Sequence, residues 1–245
     1  MTYESLNRTR IGYEAHHYHS QHDPHKQASG LSNIILGGQD GLVNVLGVIL
    51  GVAAATQDAR IVLAAGLAAT FAESVAMGAV AFTSTVADQE FYESEREREH
   101  RHIENVPHLE TEEIREIYRK KGFEGELLER IVAKITEDKD VWVNVMLAEE
   151  HQLSPTSRKD AAKASVIVGC AALVGSFIPL LPFFFVPVIT GIWLSLLISA
   201  IALFTFGAYK AKRTVGRPAK SGAELLVIGM ISAAVGYAVG LLFKI

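Results

Sequence analysis

Carboxylates, imidazoles and a thioether recur at helical spacing between residues 88 and 160. Glu99 and His102 stand three apart, as do Glu110 and Glu113, and Glu113 and Glu116, while Met146 and Glu150 stand four apart. Residues so spaced share one helix face. Several carboxylate oxygens suit a hard divalent cation, and His or Met moves the preference toward transition metals such as Fe(II) or Mn(II). The same spacing also describes a solvated acidic face. The run from Glu93 to Arg101 alternates Glu with Arg and reads as a salt-bridged surface, of which only Glu99 is taken as a ligand. A second set of candidates interrupts apolar sequence: Asp40 and Asn44 in one stretch, Glu73 in the next, with Met77 one turn after Glu73. An ionised side chain within a bilayer costs on the order of 3 kcal/mol on insertion scales, so Asp40 and Glu73 are expected to face a bundle interior as pathway or proton-relay residues. Met77 adds a polarizable thioether to that face, and Asn44 completes the expected transport path. For Asp40 the plainer alternative is an acid near a span end that reaches the interface.

The elements that must carry these residues follow from hydropathy. Between Lys163 and Lys210 lie 46 consecutive residues without Asp, Glu, Lys or Arg, and between Glu224 and Lys244 lie 19 more. About 20 apolar residues cross a bilayer, so the first run crosses twice, turning at Pro179, Pro182 and Pro187, and the second crosses once. Residues 31–55 and 61–87 are apolar and rich in small residues apart from the isolated polar groups named above. Five spans are expected, at 31–55, 60–87, 162–181, 187–209 and 224–243. Glycines four apart (Gly37 and Gly41, Gly47 and Gly51, Gly236 and Gly240) have the spacing that lets membrane helices approach closely.

Residues 88–160 hold 20 acids and 12 bases, whereas the rest of the chain holds 7 acids and 11 bases. Acid is thus concentrated in one insert, whose pattern is helical. The second span is expected to run on to Glu104, Pro107 to open a second helix, Gly122 to end it, and a third helix to cover 124–151 with Leu128, Ile131, Ile135, Trp142 and Val145 as its apolar stripe. The fold class is therefore an all-α integral membrane protein with five transmembrane helices and a cytosolic three-helix acidic metal-binding insert between spans 2 and 3. The domains are a His-containing tail (1–30), helices 1–2 (31–87), the insert (88–160) and helices 3–5 (161–245). Arg8, Arg10 and Lys26, the insert, and the Lys210–Lys220 loop fall on one side by parity, which the positive-inside tendency places in the cytosol, with the C-terminus opposite.

Composition excludes much else. At 49% hydrophobic and 20% charged, with a net charge of −4, the chain is neither disordered nor collagenous. Its single cysteine, Cys170, builds neither an intramolecular disulfide nor a thiolate metal centre. No cleaved signal peptide is expected, because the first 30 residues lack an apolar h-region, and no Gly-x-x-x-x-Gly-Lys-Ser/Thr phosphate-binding loop occurs, so ATP-driven transport is not expected. Glu99-His100-Arg101-His102 supplies one Glu-x-x-His match to a di-metal oxidase but no second copy occurs, so no enzymatic activity is expected. His16, His17, His19, His22 and His25 form either a loose metal-binding tract or a plain polar tail.

In combination these features resemble the vacuolar iron transporter (VIT/Ccc1-like) family over about residues 30–245. The resemblance rests on Gly38-Gln39-Asp40-Gly41-Leu42-Val43 in the first span, Glu73-Ser74-Val75-Ala76-Met77-Gly78 in the second, the acidic insert, and the three further spans. It implies a homodimeric secondary transporter that exports Fe(II), and also Mn(II), from the cytosol in exchange for protons. By position it implies Asp40 and Met77 in the pore, and Glu99, His102, Glu110, Glu113, Met146 and Glu150 in the cytosolic site. His102 stands where the family pattern has a second Glu, and Leu147 where members often have another Met. Glu73 has no matched position, and its role rests on burial alone. The expected partners are divalent metal ions, protons, the lipid bilayer and a second copy, with no nucleic acid and no tightly bound cofactor. The expected location is a vacuolar-type or cell membrane. The competing reading is a membrane-tethered metal storage or sensing protein without flux.

Overall fold

The computed structural model describes residues 27–214 and 216–243, and the tail histidines lie outside them. Among the described residues there are helices and no strands. They are α1 (Gln27–Thr56), α2 (Ala59–Asn105), α3 (Pro107–Lys120), α4 (Gly125–Thr136), α5 (Lys139–Glu149), α6 (Arg158–Leu180), α7 (Val188–Arg213) and α8 (Pro218–Leu242), with a 3-10 turn, Leu181–Phe184, between α6 and α7. Five of the stretches, Gly30–Thr56, Ala59–Asn105, Arg158–Phe184, Val188–Arg213 and Pro218–Leu242, are long and apolar enough to cross a membrane. They match the five expected spans. Val80–Lys163 forms one compact unit, and the sequence before and after it forms another.

Each boundary has a local cause. Gln57 adopts φ 51°, and Asp58 then caps the next helix, its Oδ1 accepting from Arg60 N at 2.7 Å. Between α6 and α7 the prolines turn the chain as expected. Pro182 has no N–H to offer the preceding turn, and Ser195 Oγ on α7 donates instead to the Pro179 carbonyl at 2.7 Å. In the Val80–Lys163 unit, α2 runs through to Asn105, Pro107 opens α3, and Gly122 at φ 92° follows its end.

The expected single helix over 124–151 is a correction, because it is two helices. Asp138 leaves the helical region at φ −118°, ψ 119°, and its Oδ1 accepts from the N–H groups of Asp140 and Val141 at 2.9 and 3.1 Å. That is an N-cap, which outcompetes continuation of the helix. The break redirects the apolar stripe. Val132, Val143, Met146 and Leu147 join Ile103, Ile114, Leu128, Ile135 and Trp142 in the core, while Ile131 and Val145 are only partly buried.

In the other unit the glycines sit where helices cross. A Cβ at Gly236 would fall on the Gly47 carbonyl oxygen, one at Gly240 on that of Gly51, and one at Gly175 on that of Gly38. Helix α1 therefore lies backbone to backbone against α8 along one edge and against α6 along another. Between them Leu42, Val45, Leu46, Ile49 and Leu50 are almost wholly buried. The outer faces carry large apolar groups such as Val75, Trp193 and Ile201, an exposure suited to lipid. Gly236→Ala is expected to destabilise the protein by about 1–3 kcal/mol through overpacking. Its apparent melting temperature in detergent should fall, while Gly30→Ala, whose Cβ meets nothing within 4 Å, should leave it unchanged.

Candidate metal site

Within the Val80–Lys163 unit, side chains from α2, α3 and the end of α5 converge. Glu99 and His102 of α2 and Glu110 of α3 each offer one ligand atom, all within 4.8 Å of one another. Glu99 and Glu110 are 2% and 4% exposed, and the Oε2 atom of each is buried without a hydrogen-bond partner. Their Oε1 atoms face imidazoles: His102 Nδ1 lies 3.4 Å from Glu110, and His151 Nε2 lies 3.0 Å from Glu99. A buried carboxylate oxygen with no donor is costly, and here two occur in one group.

The electrostatics point the same way. Burial, then the charges of Glu113, Glu99 and Glu150, together with a hydrogen bond that the protonated carboxyl donates to Glu113, push Glu110 up to about 7. Glu110 stands in the first turn of α3, where a helix N-terminus favours a carboxylate by about 0.3–1 kcal/mol, and the upward push outweighs that. Glu150 is also held above the usual carboxylate range, by burial and by Glu113 and Glu99, against the opposing pull of His151 and His102. For His151, burial alone would lower the pKa, but the hydrogen bond to Glu99 and the charges of Glu150, Glu99 and Glu95 outweigh it and raise the value. The group is thus a concentration of negative charge that a proton or a divalent cation would neutralise. Oxygen and imidazole donors together suit Mn(II) or Fe(II).

Most of the expected ligands are brought together. Glu99, His102 and Glu110 converge directly, and Glu113 and Glu150 interact with them electrostatically from exposed positions. Glu116 is not part of the group. Its carboxylate pairs with Lys120 at 3.0 Å, and that hydrogen bond holds it below the usual range. Met146 is wholly buried in the apolar core with Ile103 and Ile114, the neighbours of His102 and Glu113, and its carbonyl accepts from Glu150 N at 2.9 Å. Within 93–101, Arg96 reaches Asp140 at 3.6 Å on the surface, as expected, whereas Glu95 pairs with Arg98 at 3.0 Å but is itself buried. His151 is the residue that spacing did not find. It lies beyond the end of α5, so no helical periodicity relates it to Glu99, and its one legible signal is that it follows Glu150.

The second candidate set lies on α1 and α2. Asn44 Nδ2 donates to the Glu73 carboxylate, and the Asp40 carboxyl is also hydrogen-bonded with Glu73. Met77, half-buried, follows one turn later on α2. The expectation that Asp40 faces the bundle interior needs correcting for the single chain. Asp40 and Asn44 are exposed, in a stripe with Ser32, Leu36 and Val48. The glycine-lined edges of α1 and the leucines and valines between them occupy its inner face, which leaves the polar stripe outside.

A model of the VIT family matches residues 31–241. Vacuolar iron transporter 1 of Arabidopsis thaliana is 30% identical over 206 residues, covering 84% of this chain and 82% of that one. Vacuolar iron transporter 1 of Tulipa gesneriana is 28% identical over 207 residues, 84% of each chain. Protein CCC1 of Saccharomyces cerevisiae is 24% identical over 212 residues, 83% of this chain and 66% of that one.

The pKa directions give a stability profile for the metal-free protein. Glu110, Glu150 and His151 all hold protons more tightly in the folded chain than in the unfolded one. Stability should therefore fall as pH rises, for Glu110 from about 4.5 through about 7. Melting curves of metal-free protein across that window should show the decline, Glu110→Gln should flatten it, and saturating Mn(II) should reverse it. A metal-free melting temperature that climbs over the same window would contradict the assignment.

Proposed function

The chain belongs to the VIT family, and on that premise we propose that it is a secondary transporter that moves Fe(II), and also Mn(II), out of the cytosol in exchange for protons. Family members are transporters and not enzymes, and the relatives matched over most of the chain carry the name of iron transporters. The observation that carries the reading is the Asp40–Glu73–Asn44 group, two carboxyls and an amide from two membrane-crossing helices in hydrogen-bond contact. Such groups are expensive in an apolar medium and mark ion pathways.

The proposed cycle uses two sites. In the insert, Glu99, His102, Glu110, Glu113 and Glu150 collect the ion from the cytosol, exchanging bound protons for it. Asp40, Glu73 and Asn44 offer oxygen ligands at membrane depth, and Met77 a softer one that favours Fe(II) over Ca(II) or Mg(II). A carboxyl that gives up its proton when metal arrives and regains one when metal leaves couples the two flows without other machinery. The exposed Asp40–Asn44 stripe supports a homodimer, because a second copy removes those groups from lipid. Arg8, Arg10 and Lys26 in the N-terminal segment, and Lys210, Lys212, Arg213, Arg217 and Lys220 around the α7–α8 connection, against Arg60 alone on the opposite side, support a cytosolic N-terminus and insert, in a vacuolar-type or cell membrane.

Proteoliposomes carrying a pH dye test the reading directly. Fe(II) or Mn(II) entry should be accompanied by proton exit, and Asp40→Ala should abolish both while leaving the melting temperature near wild type. Glu110→Gln should slow uptake by roughly tenfold without abolishing it, as loss of a collecting ligand does. Metal that binds but never crosses would make this a storage or sensing protein. Wild-type flux through Asp40→Ala would remove Asp40 from the path.

A further inference from the structure

We propose that His151 is a positioning residue of the insert's metal cluster, holding Oε1 of Glu99 so that Oε2 is presented to the ion. The proposal rests on the reading of that cluster as a metal site. Its basis is geometric. Glu99 is 2% exposed, its Oε1 lies 3.0 Å from His151 Nε2, and its Oε2 is buried without a partner. An ionised carboxylate only accepts, so the imidazole donates through Nε2–H. Glu110 shows the same division of labour, with Oε1 toward His102 Nδ1 at 3.4 Å and Oε2 buried and unpartnered. Each buried glutamate therefore turns one oxygen toward an imidazole, at hydrogen-bond geometry only for Glu99, and keeps the other buried.

The two histidines nevertheless differ. His102 belongs to the group whose ligand atoms converge within 4.8 Å, and His151 does not. His151 also sits after the end of α5, in a different element from either glutamate, and its ring nitrogen is committed to Glu99. This is the geometry of an outer partner that fixes a ligand's orientation, and removal of such a partner typically weakens metal binding 10–100-fold. With Oε1 occupied, Glu99 ligates through Oε2 alone.

The test is Co(II) titration of the full-length protein in detergent, read by the cobalt d–d absorption band. His151→Leu and His151→Ala should each weaken binding by about tenfold or more, with the shape of the band unchanged because the ligand set is intact. His151→Gln, whose amide donates to the same oxygen, should restore affinity to within about threefold of wild type. Wild-type affinity in the leucine or alanine variant would overturn the proposal. So would equal losses in all three variants, and a changed band shape with them would make His151 a ligand. Absence of any Co(II) band in wild type, or full binding by Glu99→Gln, would instead remove the metal-cluster reading on which the proposal stands.

Discussion

A carboxylate taken out of water must meet a donor, a proton or a cation, and this chain places carboxylates where water is scarce in both of its compact units. In the insert Glu99 and Glu110 are buried together, and each leaves one oxygen without a partner. In the membrane-crossing helices Asp40 and Glu73 share a hydrogen bond with Asn44 beside them. Neither arrangement stabilises an empty protein. Each is relieved when a proton or a cation neutralises it.

Packing decides which side of α1 those charges occupy. Backbone contacts at Gly47 with Gly236, Gly51 with Gly240 and Gly38 with Gly175 leave no room for a side chain on the inner edges of the helix. The polar stripe containing Asp40 and Asn44 is consequently turned outward from the single chain. The small residues thus act twice, bringing helices together and fixing the outward orientation of Asp40 and Asn44. In the insert the Asp138 cap has a comparable role. By ending α4 and starting α5 it moves Trp142, Val143 and Met146 into the core shared with Ile103 and Ile114, and brings Glu150 and His151 to Glu99.

How far the sequence could be read depended on the range of the interaction involved. Spans were legible because runs without charge are long and local, and Pro179 in the last turn of α6, with Pro182 and Pro187 after it, marked the turn into α7 by removing donors. Pairs such as Glu99 with His102 and Glu110 with Glu113 were legible because they lie within one helical turn of each other. Glu116 has the same spacing from Glu113 but pairs with Lys120 one turn further. Spacing alone does not say which neighbour a carboxylate prefers.

The amino-acid sequence by itself determined the helical class, the five apolar spans, the acidic insert and most of the residues that gather in it. Those properties follow from hydropathy and helical period, which act over one or two turns. Only the tertiary structure decided that α4 and α5 are separate, that Met146 belongs to an apolar core, that Asp40 faces outward and that His151 reaches Glu99. The first depends on a cap competing with helix continuation. The others depend on contacts between residues far apart in the chain, such as the 52 positions separating His151 from Glu99, and no periodicity encodes those.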